Sequence, residues 1–396
     1  MKKERINIGF IINFSYLSWI GGFNYFINFF NCLNLNRKKI NIIIFTDHKF
    51  SRSEKKKFKN VKIIQSSLFS REGRLKKILS KLRIFFFKKD YILDNFFKDK
   101  IDLLSHSGYL GSSSAIPSLP IIWDFQEIHN PSLFSFKDRV LRKFNTLMCN
   151  IHANKVILGG FHCLKDYEKI IKKKNNNAVI LSQSAFIKKF NLIRKKFILD
   201  KFKIHKDKFF YLPNQFWLHK NHFVVLKAIK YARDKYQKDL CIISSGLTYD
   251  RRFPKHFENI KKYIHKNGLF NNFIILNTIK FNDLLNLMYH SIALINPSKS
   301  EGWSNTVEQG KSLEKIIVLS KIPSHVEQNP KKSYFFNCDD HKKLAEILIK
   351  CMKNQDFNET KNYQRIKKNN KIKALKFSNN YLNIVEEILI KKKSLF

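Results

Sequence analysis

An α/β protein with two doubly wound domains is the fold class this sequence predicts, on three observations. Short apolar runs of strand type alternate with stretches of helical periodicity along the whole chain and without internal repeats, the pattern of parallel sheets covered by helices. The 396 residues, 44% of them hydrophobic, exceed what one core usually organises and suit two domains. Several apolar runs end in polar or glycine-containing loops that lead straight into a helix. Open parallel sheets bind ligands at such strand ends.

The elements follow in order. Residues 6–14 read as a buried strand and 15–22 as a loop whose Gly21-Gly22 precedes a helix over 23–35. Gly-Gly permits either close approach of backbone to a ligand or only a tight turn. A second strand covers 40–45. The basic, Phe-rich stretch 71–100 places Leu75, Ile78, Leu79, Leu82, Phe85 and Phe86 at helical spacing; it reads as a solvated charged face or as a helix that holds a bilayer. Strands at 101–104 and 119–123 come next. The second ends in Asp124-Phe125-Gln126-Glu127-Ile128-His129, acid and imidazole in the ligand position of an α/β sheet. Helix 138–150, strand 155–158, helix 163–173 and strand 178–181 complete a first domain, 1–187.

The basic, patternless segment 188–207 reads as an interdomain connection. A second domain, 208–375, opens with strand 209–212, a loop carrying Lys220, and helix 223–233. Strand 241–244, helix 254–267, strand 273–276, helix 282–290 and strand 292–295 continue it. Pro297 then stops the chain, and a polar loop carries Glu301 and Gly302 into a helix beginning near Asn305 or Thr306, followed by strand 316–319. This unit brings a carboxylate, a glycine and backbone N–H groups to one strand end and is the strongest candidate site. Gly310-Lys311-Ser312 imitates the end of a P-loop, but the first glycine of that motif would fall on Asn305 and the triplet lies inside the helix. An amphipathic helix at 379–392, in the tail 376–396, has no assigned place.

Charge narrows the function less than its size suggests. The net charge of +44, from 75 Lys+Arg against 31 Asp+Glu, often marks nucleic-acid or anionic-membrane partners. Lys, Asn, Ile and 38 Phe are abundant together, as A- and T-rich codons make them. No helix-turn-helix, zinc or RNA-recognition pattern accompanies the charge, so no nucleic-acid partner is expected. A composition bias spread over solvated faces and a membrane-facing basic surface remain as readings. The six cysteines show no C-x-x-C and no His at metal spacing and read as buried thiols of a reducing compartment. MKKER followed by INIGFIINF imitates a signal peptide, yet Asn7 and Asn13 interrupt the run and no small-residue cleavage pattern follows. No stretch reaches the roughly 18–20 apolar residues of a membrane span. The expected location is cytoplasmic, with peripheral contact on the inner face of the plasma membrane.

Three blocks, WDFQEIH at 123–129, PNQFWLHKNH at 213–222 and PSKSEGWSNTVEQGKSLEKIIVLSKIPSHVEQ at 297–328, make the whole chain resemble the retaining nucleotide-sugar glycosyltransferases of GT-B fold, the fourth, group 1-type family. The resemblance implies two Rossmann-like domains facing across a cleft, acceptor-side at 1–187 and nucleotide-sugar-binding at 208–375. It implies transfer of a hexose-type sugar from a nucleotide diphosphate sugar to a saccharide or lipid-linked acceptor, with retention, in bacterial surface polysaccharide or lipopolysaccharide synthesis. Glu301 matches the residue that contacts the hexose and His129 the histidine near the donor sugar; these are the catalytic candidates. The second family carboxylate falls on Gln309, beside Glu308, and an arginine five residues before Lys220 is Gln215.

On the donor side the resemblance further places Lys220, Gly21, Gly22 and the helix start at Trp303, Ser304, Asn305 and Thr306. Asp124, Gln126 and Glu127 fall on the acceptor side. A lysine, a helix N-terminus and glycine-exposed amides can stabilise a developing diphosphate charge. Without Asp-x-Asp, a metal-independent reaction with no cofactor is implied. Two glutamines in place of charged residues forfeit charge-assisted bonds. A catalytically weak or inactive protein of the same fold, acting as a binding or scaffold subunit, is therefore the alternative.

Overall fold

The computed structural model describes residues 5–16, 18–70, 74–173, 177–187, 191–353 and 363–394. It divides into two compact units, residues 1–186 with 371–396 and residues 187–370. Among the described residues no helix is long and apolar enough to cross a membrane.

The first unit is built on β1 (Ile6–Ile11), β2 (Ile40–Thr46), β3 (Val61–Gln65), β4 (Leu103–Ser105) and β5 (Ser118–Leu119), in the order β3-β2-β1-β4-β5. A shorter sheet has β6 (Ile121–Ile122), β7 (Val156–Leu158) and β8 (Ala178–Ile180) side by side. The pairings are parallel, with Ile6 opposite Ile40 and Ile11 opposite Phe45. The expected strand at 119–123 is split at Pro120, which has no N–H to give to a ladder, and the chain changes sheets there. Helices α1 (Ile20–Leu33), α2 (Arg52–Lys57), α3 (Arg74–Phe87), α4 (Tyr91–Phe97), α5 (Gln126–His129), α6 (Phe136–His152) and α7 (Phe161–Ile171) connect the strands. Much of the phenylalanine goes into this core. Phe10 of β1 is fully buried and meets Phe26, Phe29 and Phe30 of α1 edge-on, the nearest ring centroid at 5.0 Å.

Three expectations are corrected here. Gly21 and Gly22 lie in the first turn of α1, not in a loop. A Cβ on Gly22 would come within 2.3 Å of the Trp19 ring, so this glycine makes room for a tryptophan folded over the helix start. The helical stretch 71–100 is two helices, broken where Lys88 takes φ 54 and Asp90 caps α4; its residues 71–73 lie outside the described residues. The segment 188–207 contains α8 (Lys195–Lys201), and Ile198, Leu199 and Ile204 are buried in the second unit's core. Apolar spacing too short to register as a pattern was enough to fold it inward.

The second unit is one parallel sheet of β9 (Phe210–Leu212), β10 (Ile242–Ser244), β11 (Phe273–Ile275), β12 (Leu294–Asn296), β13 (Ile317–Ser320) and β14 (Ser333–Phe336), in the order β11-β10-β9-β12-β13-β14. Helices α9 (His222–Tyr236), α10 (His256–Lys266), α11 (Phe281–His290), α12 (Asn305–Ser312), α13 (Pro323–Gln328) and α14 (His341–Lys353) cover it. A Cβ on Gly310 would lie 2.6 Å from Ile317 and 2.8 Å from Leu294. Close seating of α12 on the sheet accounts for the glycine of Gly310-Lys311-Ser312. The last helix, α15 (Tyr363–Lys393), is longer than the expected 379–392, and Phe377, Tyr381, Leu382 and Val385 join the first unit's core.

Candidate functional site

In the second unit the chain steps from β9 outward to β11, then returns to place β12 on the other side of β9. At such a reversal the loops leaving the two central strands diverge and open a crevice beyond the sheet. Those loops are 213–221 and 297–304. The Lys299 N–H donates to the His219 carbonyl at 2.8 Å. Asn221, held at φ 57, donates through Nδ2 to the carbonyls of Pro297 at 3.1 Å and Cys338 at 2.7 Å. Asn214 Nδ2 donates to Asn296 Oδ1 at 3.0 Å.

This cross-bracing sets Lys220 against Glu301. The lysine Nζ donates to Glu301 Oε1 at 2.6 Å, and Ser298 Oγ donates to the same oxygen at 2.7 Å. The side chains are only 14% and 10% exposed. Burial pushes the Glu301 carboxyl up, but the Lys220 charge in contact with it overrides this, with His325 and His219 adding to the effect, and holds it at about 2. His219 is itself pushed down to about 3, by burial first and Lys220 next. It is neutral at neutral pH and adds no positive charge to the pair there.

The start of α12 stands beside the pair. Ser304 caps it, accepting from the Val307 N–H at 3.4 Å and from Asn296 Nδ2 at 2.7 Å. The Ser304 N–H, expected among the anion donors, already donates to Gln328 Oε1 at 3.1 Å. Gln328 also donates from Nε2 to the Ser304 carbonyl and to Glu308 Oε1, both at 3.0 Å, while Lys311 Nζ reaches Glu308 Oε1 at 2.9 Å. Glu308 is thus committed to bracing the helix. Thr306 is buried, donating to Asn214 Oδ1 at 3.4 Å, and Trp303, Asn305, Gln309 and Gln215 are half-buried. Ser298 and Gln328 lie inside the third block and Asn296 just before it, but nothing in the sequence marked them as the residues that brace the site.

Residues 194–373 match the family of group 1 glycosyl transferases. No curated protein shows significant sequence similarity to the chain. Solved structures carry the likeness over its whole length. HepE of Anabaena, in complex with UDP and glucose, aligns with a TM-score of 0.69 at 11% identity, over 96% of this chain and 100% of that one. A glycosyltransferase of Rickettsia africae gives 0.67 at 14%, over 98% and 99%. WaaG, a glycosyltransferase involved in lipopolysaccharide biosynthesis, gives 0.62 at 11%, over 94% and 95%. At these identities the likeness is one of fold, and the fold is GT-B.

The group 1 match leaves most of the first unit to its own geometry. Asp124 and Glu127 share one cation that the sequence reading missed. Arg142 of α6 donates from Nη2 to Asp124 Oδ1 at 2.5 Å and from Nε to Glu127 Oε2 at 2.6 Å. Burial lowers the guanidinium's proton affinity, and the two carboxylates more than restore it. Gln126 opens α5, its N–H bonded to Asp124 Oδ1 at 3.2 Å. His129 Nε2 lies 2.5 Å from Oδ2 of the buried Asp166 of α7, a second partner from a distant helix. Trp19, seated over Gly22, meets Trp123 edge-on at 5.4 Å. Among the described residues no cluster of three or more His, Cys, Asp or Glu is arranged to hold a metal ion.

Proposed function

We propose that this protein transfers a hexose-type sugar from a nucleoside diphosphate sugar to a saccharide or lipid-linked acceptor, with retention, in bacterial surface polysaccharide synthesis. The observation that carries the reading is the buried Lys220–Glu301 pair at the strand reversal of a unit that matches the group 1 glycosyl transferases. In this assignment Lys220 meets the diphosphate with its remaining ammonium protons. The N-terminal turn of α12 adds its dipole, so charge on the leaving diphosphate is stabilised where it develops. Glu301, held ionised, accepts from the sugar hydroxyls. His129, oriented by Asp166, is assigned as the first unit's catalytic residue, and Gln126 with the Arg142-bound Asp124 and Glu127 as its acceptor-side group. Gln309 and Gln215 stand in for charged groups and bind by neutral hydrogen bonds. The reaction is assigned as metal-independent.

A thermal-shift screen against UDP, GDP and ADP sugars tests donor binding, since ligand at 100 times its dissociation constant adds about 2.7 kcal/mol of apparent stability. Turnover is tested by release of nucleoside diphosphate, with and without chelator, and retention by the anomeric configuration of the product. Glu301→Ala is expected to abolish turnover. Donor binding without turnover against any acceptor extract would instead favour the binding or scaffold subunit, the reading that Gln215 and Gln309 support.

A further inference from the structure

Two helices of the first unit turn their apolar residues outward. In α3, Ile84 is buried and anchors the helix, while Leu79, Leu82, Phe85 and Phe86 cover the opposite arc, with Phe85 and Phe86 each 70% exposed. In α6 the buried residues are Thr146, Cys149 and His152; Phe136, Val140, Phe144 and Ile151 recur at helical spacing on the outer side, and Phe136 is 74% exposed. A helix on a globular surface shows the reverse arrangement, with polar residues toward water. The outward residues form a stripe on each helix, whereas a composition bias would scatter them. The stripes are neighbours, because Lys81 Nζ of α3 lies 5.8 Å from the ring centre of Phe144 in α6.

Charge around these stripes is predominantly positive. Residues 79–89 carry four Lys and Arg and no carboxylate, and Phe136–His152 carries four against Asp138. Of the nearby acids, Asp90 is paired with Arg83 and Asp124 and Glu127 with Arg142, which leaves Asp138, bonded by the Ser135 hydroxyl, as the acid on α6. Lys81, Lys88, Lys137 and Lys143 remain exposed around the phenylalanines. Exposed aromatic rings framed by lysines fit a surface that is anionic above and apolar just beneath, as an anionic bilayer is. We propose that the outer faces of α3 and α6 together dock this protein on anionic lipid. The surface lies wholly in the first unit and stands whether or not the second unit transfers a sugar.

Sedimentation of the full chain with vesicles tests this. Wild type is expected to pellet with vesicles of phosphatidylglycerol and phosphatidylcholine in equal parts and to stay in solution with phosphatidylcholine alone. The double variants Phe85→Ser/Phe86→Ser and Phe136→Ser/Phe144→Ser, which change only exposed side chains, are each expected to weaken binding roughly tenfold or more. Lys88→Gln/Lys89→Gln should weaken it less and remove part of its salt dependence. Wild type that stays in solution with both vesicles overturns the proposal, as do serine variants that bind undiminished. A dimer seen by light scattering, lost in the serine variants and unaccompanied by vesicle binding, also overturns it and gives the faces to a second copy of the chain.

Discussion

Lys220 and Glu301 stand 81 positions apart in sequence and 2.6 Å apart in the fold, joining the two loops that leave β9 and β12. Removing one partner leaves the other charged and buried, which costs about 3–5 kcal/mol for a buried pair. Lys220→Met is expected to destabilise the second unit by about that amount. Glu301→Gln should cost less, since the amide still accepts from Ser298 and the lysine can turn its head toward water. The double variant Lys220→Met/Glu301→Gln should lose less than the sum of the two single losses. Urea unfolding of all four proteins measures the coupling, and strictly additive losses would show that the pair does not act as a unit.

Acid should separate the same variants. Glu301 is held at about 2 against an ordinary 4.5, chiefly by Lys220 acting against burial. A carboxyl depressed by folding contributes stability in full above its unfolded value and loses it as pH falls through its folded one. The stability advantage of wild type over Glu301→Gln should therefore hold down to about pH 5 and shrink between 4.5 and about 2. Paired urea midpoints across that window check it. An advantage that grows on acidification contradicts the assignment.

The parallel architecture was legible because buried parallel strands leave continuous apolar runs: 40–45, 241–244 and 316–319 all announce themselves. β3 (VKIIQ) and β14 (SYFF) did not, being edge strands left partly exposed, whose residues carry neither a long run nor clean alternation. The site divides in the same way. Glu301 and Lys220 were found because each sits in a block with chemistry of its own. Arg142, Asp166 and Gln328 were missed because their partners lie 15, 37 and 24 positions away, and no local pattern encodes which distant carboxylate, imidazole or amide a side chain will meet.

Gly22 is the plainest case of a residue noticed for a reason that the packing replaces. Its missing Cβ accommodates the Trp19 ring, which in turn meets Trp123. Gly22→Ala favours the helix by about 1 kcal/mol through backbone propensity, yet it must push the indole aside. α1 should therefore persist in far-ultraviolet circular dichroism while the near-ultraviolet signal of the Trp19–Trp123 contact and the tryptophan emission change. Unchanged aromatic spectra would mean that the ring does not rest on this glycine.

Lys315 offers a test at the other end of the pH scale. It is 3% exposed, and its Nζ donates to the carbonyls of Tyr289 at 2.9 Å and Ser291 at 2.6 Å, where α11 ends. Burial above all, with repulsion from Lys332 and Lys195, lowers it from 10.5 to about 7. Between those values the unfolded chain holds a proton that the folded protein has released, so stability rises with pH. Lys315→Met removes that proton uptake and also, at every pH, the two hydrogen bonds. The stability of wild type relative to Lys315→Met should be flat below about 7 and climb from there toward 10.5, while the titration of other lysines and tyrosines cancels in the comparison. Denaturant midpoints of the two proteins measured across that range decide it. A difference that stays flat, or falls, would mean that the ammonium keeps its proton, with the carbonyls at the end of α11 outweighing its burial.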